Sequence, residues 1–342
     1  MYEVANRTPF TVRLSAGLDR ENRDIAFVVV KGTYHAREGA PLGLASADAE
    51  PIHLTDRHWG EPGESSVRYE AETAWEKPGT DIVLNGSAYP AREGDTSAIV
   101  ELRVGPQRKA VRVYGDRVWA RTRLGEVALS PPRRFESMPL VYERAFGGKD
   151  TSHADPSFHE SEARNPVGVG FVATSSARAL EEIGVPNLED PSSPIAKPSD
   201  RPPPAALAFV HRSWSPRARL AGTYDEAWRA ARAPYLPVDF AVDHHRAAPA
   251  GLSSPAHLRG GEGVSAVGVR RRGGALSFTV PPPAFEVSFR VRGRDTTIEP
   301  VLTTVVIEPD ASRVLCTWHA ALACPKRLLF LDRVVVRERR PS

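Results

Sequence analysis

The stretch DIAFVVVKGTYH (Asp24–His35) constrains the fold more than any other part of the chain. It is almost continuously apolar and rich in β-branched residues, too short for a buried helix of ordinary length, and without a 3.6-residue stripe. Such a run predicts a strand covered on both faces. TDIVLNGSAYP (Thr80–Pro90) predicts another. SAIVELRVGPQRKAVRVYGDRVW (Ser97–Trp119) predicts two strands around a Gly105-Pro106-Gln107 turn. Val100, Leu102 and Val104 alternate with Glu101 and Arg103, and Val111 and Val113 flank Arg112. That period of two gives one buried and one wet face.

Residues 1–130 therefore form an N-terminal β part, and residues 263–342 a C-terminal one. In the latter, Pro309 and Asp310 place a turn in EPDAS (Glu308–Ser312), joining Val301–Ile307 to Arg313–His319 as a hairpin. Residues 131–262 are irregular, broken by proline and glycine. Two helices are expected there: Ser175–Ile183, capped by serine and stopped by Gly184, and Thr223–Arg232, capped by threonine. Trp214, Tyr224, Trp228, Tyr235 and Phe240 are too many large aromatics for a solvated linker. Pro191–Pro204 is expected to be the most mobile piece. The architecture expected is a single mainly β domain, with sandwich-like sheets from both ends and a loop-rich middle layer carrying a few short helices.

Charge and motif narrow the function. With 45 basic and 42 acidic residues the net charge is only +3, which argues against nucleic acid as the main partner. No apolar run is long enough for a membrane helix. MYEVANRTPF has neither a basic nor an apolar leader region, so the cytoplasm is the expected location. Two cysteines, Cys316 and Cys324, do not make a disulfide scaffold. The ten histidines lack zinc-site spacings: His153 and His159 are six apart on a broken loop, and DHH (Asp243–His245) stands alone. No nucleophile elbow, phosphate loop or dinucleotide fingerprint is present. Neither a metal nor a cofactor is expected, and no residue is assigned as catalytic.

Two acid–base neighbours, Asp116-Arg117 and Glu143-Arg144, are expected to pin loops together. The alternative is a β-sandwich hydrolase acting on cell-surface carbohydrate through loop carboxylates, Glu143 and Asp225 with Asp239 as a further candidate. Aromatic, arginine and glycine clusters recur along the chain, and two readings of them stay open. They suit a protein interface, and they equally suit buried loops stabilised by cation–π contacts.

These clusters occur in a fixed order: NRTPF, VVVKGTY, HWGEPGESSVRYE, KPGTDIVLNGSAY, VYGDRVW, MPLVYERAFGG, RNPVGVGF, LAGTYDEAW and LPVDF. In that order the chain resembles, over nearly its whole length, a bacterial family first catalogued as a domain of unknown function. Its members are typically encoded beside type VI secretion effectors, and some act as effector chaperones or adaptors. The resemblance implies a non-enzymatic cytosolic protein that binds a secreted effector and helps load it on the secretion spike. The spike's shaft protein or PAAR-type tip would be a further partner. Trp59, Tyr69, Tyr142, Phe146, Trp214, Tyr224 and Trp228 are then the candidate partner contacts. The chain departs from the family pattern at AAPAGL (Ala247–Leu252), which lacks an Asp-Gln pair.

Overall fold

A computed structural model describes residues 3–37, 40–324 and 328–339. Asp24–His35 is one strand, and every residue from Ile25 to Tyr34 is buried. It lies inside a sheet ordered Thr11–Leu18, Asp24–His35, Arg313–Cys324, Val301–Glu308 and Asp81–Leu84, with Gly43–Leu44 also paired to Asp24–His35. Both ends of the sequence meet here, because Asp24–His35 pairs along its full length with Arg313–Cys324. The expected hairpin is present: Pro309–Ala311 turns, Ser312 takes φ 50°, and Val301–Glu308 pairs antiparallel with Arg313–Cys324.

A second sheet is ordered Leu188–Glu189, Gln107–Tyr114, Ser97–Val104, Gly263–Val267 and Ala275–Thr279. Its centre is the expected hairpin, with Gly105 at φ +53° in the turn. Val100, Leu102, Val104, Val111 and Val113 all point into the core. A third sheet combines Glu3–Arg7, Leu331–Glu338, Phe285–Val291 and Arg294–Ile298. Phe10, Phe285 and Trp318 knit the first and third sheets together. The Phe10 and Phe285 ring centres are 5.0 Å apart, and Phe285 meets Trp318 edge-on at 5.5 Å. Each such side chain contributes roughly 2–3 kcal/mol by leaving water. The chain is mainly β and sandwich-like, as the strand patterns predict.

The middle layer is ordered by side chains bonding to backbone. Asn165 is fully buried, and its Nδ2 donates to the carbonyls of Tyr142 (2.8 Å) and Phe146 (3.0 Å). This draws RNPVGVGF against YERAFGG, where Phe146–Gly147 pairs with Val169–Gly170. A Cβ on Gly148, at φ +106°, would stand 2.5 Å from the Gly168 carbonyl oxygen, so only glycine fits. The two helices are shorter than expected. Of Ser175–Ile183 only the turn Leu180–Glu182 is helical; Ala179 stands at its N-cap position and its amide donates to the Glu182 carboxylate (3.2 Å). The second helix is Glu226–Ala231, capped by Asp225, while Thr223 bonds Asp239. Pro191–Pro204 leads into Ala205–Phe209, which is buried, and the Leu84 amide donates to the Leu207 carbonyl. Among the described residues no helix is long and apolar enough to cross a membrane.

Candidate functional site: a charged cavity and the arm above it

Lys31 sits in the middle of the most apolar strand and is 3% exposed. A buried ammonium needs a counter-charge. Its Nζ donates to Glu72 Oε2 (2.9 Å) and to the Pro51 carbonyl (3.0 Å). Glu72 also accepts from Thr317 Oγ1 (2.6 Å) and the His53 amide (2.9 Å). Beside it, Lys77 is paired with Asp81 (2.6 Å) and lies 3.9 Å from Glu70. Asp81 in turn holds the Ala247 amide and Ser253. Both lysines border a cavity of about 150 Å³ between the central sheet and the middle layer. Glu70, Glu72, Arg212, Arg217, His53, His244, His245 and His319 line it with the two lysines.

Burial sets the protonation of this cavity. Burial, reinforced by the charge of Lys77, holds His319 down at about 3. Its ring nitrogens lack a hydrogen-bond partner of ordinary geometry. His245 is also held at about 3, by burial first and then by its cationic neighbours. Both imidazoles are therefore neutral at pH 7. Glu50 is pulled below the usual carboxylate range by its bond to His53, with Arg313 adding to the effect. Tyr69 donates to Glu308 at 2.5 Å, and Arg313 binds the same carboxylate.

Arg217 connects the cavity to the surface. Its guanidinium bonds Glu70 (2.6 Å), the His244 carbonyl (3.0 Å) and the Val210 carbonyl. Those contacts clamp the base of an arm, residues 222–240. The clamp is completed by the Ala241 amide on the Leu220 carbonyl, and by Asp239 on the Thr223 amide (3.0 Å) and hydroxyl (2.7 Å). The arm's helix buries none of its residues. Tyr224 is 52% exposed, Tyr235 38% and Val238 88%. The arm is nevertheless internally fixed: Tyr224 and Trp228 meet edge-on at 4.7 Å, and Trp228 Nε1 donates to the Tyr235 carbonyl (2.8 Å). Arg232 ties the arm to the Arg20 carbonyl (2.8 Å).

The structure divides the expected partner contacts. Tyr224 and Trp228 share the arm, and Trp59 is exposed elsewhere, stacked under Arg68 at 4.7 Å. Tyr69, Tyr142, Phe146 and Trp214 are each less than 7% exposed. They pack the interior, as Tyr142 and Trp214 do edge-on at 5.2 Å, and offer no docking surface. The four residues expected to pin loops bond partners other than their sequence neighbours. Arg117 is buried against Glu189 (2.5 Å) and the Pro186 carbonyl (2.6 Å). Asp116 accepts from Asn187 (3.1 Å) and faces Arg144 at 4.0 Å. Glu143 takes both the amide and the hydroxyl of Ser66 at 2.7 Å. Glu143, Asp225 and Asp239 thus serve separate local bonds, and none lines the cavity.

Sequence reasoning missed the cavity. Lys31 was its one legible signal, a charge within a run that predicts burial on both faces. Among the described residues no group of three or more His, Cys, Asp or Glu could hold a metal ion. Both cysteines are unpaired and buried, and burial pushes the Cys316 thiol up.

Fold and site define a mainly β protein in which a buried charge cluster braces an exposed aromatic arm. The chain belongs to the bacterial family described as "Uncharacterized protein conserved in bacteria (DUF2169)", whose model matches residues 21–319. No curated protein and no solved structure matches it.

Proposed function

We propose that this chain is a non-enzymatic cytoplasmic adaptor that holds a secreted bacterial effector through the arm and helps load it on a type VI secretion spike. The observation that carries this reading is the arm itself. A loop that exposes Tyr224, Tyr235 and Val238 while its base is clamped by Arg217 and Asp239 is organised before any partner arrives. Rigid aromatic anchors lose little entropy on binding. Large apolar exposure on a soluble domain marks an interaction surface. Covering apolar effector surface would keep the effector from aggregating before export. The spike shaft or its PAAR-type tip is the further partner in this reading.

The test is co-expression of the full chain with the product of each neighbouring reading frame, followed by pull-down. The adaptor reading expects a soluble stoichiometric complex, lost in the double variant Tyr224→Ala/Tyr235→Ala while that variant stays folded. A complex that survives this double substitution moves the contact off the arm.

A hydrolytic alternative has the cavity on its side, because titratable groups converge there. Its volume, about 150 Å³, is below the roughly 300 Å³ at which ligand pockets begin. Glu70 and Glu72 are each held by a cation, at 2.6 Å from Arg217 and 2.9 Å from Lys31. Turnover of a cell-surface glycan that disappears in Glu70→Gln would establish that alternative.

A further inference from the structure

The two edges of the central sheet are treated differently. At one edge, Asp81–Leu84 is covered: the Ile82 amide donates to the Leu252 carbonyl (3.0 Å) and the Leu84 amide to the Leu207 carbonyl (2.9 Å). At the other, Thr11–Leu18 ends the sheet. It pairs without a register shift to Asp24–His35 and, among the described residues, carries no strand on its outer side. An unprotected edge is a template for another strand.

The phase of the ladder tells which groups face outward. The Ala36 amide bonds the Ser312 carbonyl, and the Ala45 amide bonds the Thr33 carbonyl on the opposite side. Backbone groups alternate sides along a strand. With Leu14 opposite Val28 and Ala16 opposite Ala26, the outward groups belong to Phe10, Val12, Leu14, Ala16 and Leu18. Two of these are already engaged. Asn6 Nδ2 donates to the Phe10 carbonyl (2.9 Å), and Trp75 Nε1 donates to the Leu18 carbonyl (3.1 Å). Among the described residues, what remains open is Val12–Ala16, blocked at both ends and centred on Leu14.

We propose that this window pairs with the same window of a second copy of the chain, antiparallel about a two-fold axis at Leu14. In an antiparallel ladder, outward-facing residues must oppose outward-facing residues. Centred on Leu14, the register satisfies this: Leu14 meets Leu14, and Val12 meets Ala16. Arg13, the only charged residue of the strand, then faces Ser15 rather than its own copy, so no like charges oppose. Val12 and Leu14 pack on the core side of the sheet, beside a groove that Val4, Leu328 and Leu331 also line. The incoming strand extends that apolar layer, giving the closed isologous contact of a two-fold dimer. This assembly is independent of the arm.

Sedimentation equilibrium of the full chain tests it, with a dimer of twice the 37.3 kDa chain mass expected. Ala16→Pro removes an outward amide that the protein's own ladder does not use, so it should weaken dimerisation about tenfold or more while leaving the melting temperature nearly unchanged. Ser15→Arg sets like charges across the axis and should weaken the dimer several-fold, roughly; Ser15→Glu sets Glu against Arg13 and should strengthen it by about the same factor. A monomer at all concentrations overturns the proposal. So does a dimer indifferent to all three substitutions. A monomer whose Val12–Ala16 amides become protected from hydrogen exchange only when another protein is added overturns it in favour of a partner's strand.

Discussion

Arg217 at the foot of the exposed arm lies 2.6 Å from Glu70 at the rim of the charged cavity, and both side chains are largely withdrawn from water. One guanidinium thereby joins the cavity, the Val210 carbonyl before the arm and the His244 carbonyl after it. The surface element and the buried cluster are one mechanical unit.

Removing that guanidinium should therefore be costly. Arg217→Ala leaves Glu70 without its closest cation and two carbonyls without a donor. The expected loss is about 3–5 kcal/mol in urea unfolding. In native-state proteolysis, cleavage within 222–240 should accelerate before global unfolding does. Uniform protection of the arm in this variant would show that Arg217 does not anchor it.

Lys31 and Glu72 offer a sharper energetic test, being 2.9 Å apart with Lys31 almost fully buried. Lys31→Met should destabilise by about 3 kcal/mol, because it strands a carboxylate. Adding Glu72→Gln should recover about 1–2 kcal/mol of that loss. Simple additivity in the double-mutant cycle would refute the pairing.

The cavity histidines predict the acid response. His245 and His319 sit at about 3 in the folded chain, against about 6.5 when unfolded. The unfolded state then binds more protons at acid pH, so stability rises with pH. The contribution is complete above about pH 6.5 and is lost as pH falls from there toward 3, by order of 2 kcal/mol per histidine at pH 5. The stability difference between pH 7 and pH 5 should shrink in His319→Gln, whatever that variant's absolute stability. An unchanged slope would place the acid sensitivity elsewhere.

Asn165 should be the residue on which the middle layer depends most locally. Asn165→Ala removes donors to the Tyr142 and Phe146 carbonyls, and both carbonyls lie in the interior. A loss of about 2–3 kcal/mol is expected. Crystals of the variant should show RNPVGVGF shifted away from YERAFGG.

Strands were legible wherever one physical cause dominated. Alternation in Ser97–Val104 and Gln107–Tyr114 fixed which residues are buried, and the apolar run Asp24–His35 announced a strand with two covered faces. Local capping misled in the middle layer. Thr223 looks like a helix cap in sequence, but its hydroxyl bonds Asp239 across the arm and Asp225 caps the helix instead. Adjacent acid–base pairs misled for a similar reason. Arg117 cannot reach its neighbour Asp116 from inside the core and takes Glu189 instead, 72 positions away. The cavity was hidden because its charges come from separate elements: Lys31 from a strand, Glu70 and Lys77 from a loop, and Arg217 and His245 from the arm's base. Aromatic residues alone could not be sorted. Trp214 and Trp228 look alike in sequence, and only the fold buries the first and leaves the second on the arm.

Hydrogen–deuterium exchange on the full chain, alone and with any protein captured in the co-expression test, is the decisive measurement for the arm. New protection is expected at Tyr224–Val238, with the cavity strands Asp24–His35 and Arg313–Cys324 slow to exchange in both states. Protection that leaves the arm untouched and appears around the cavity rim would contradict it.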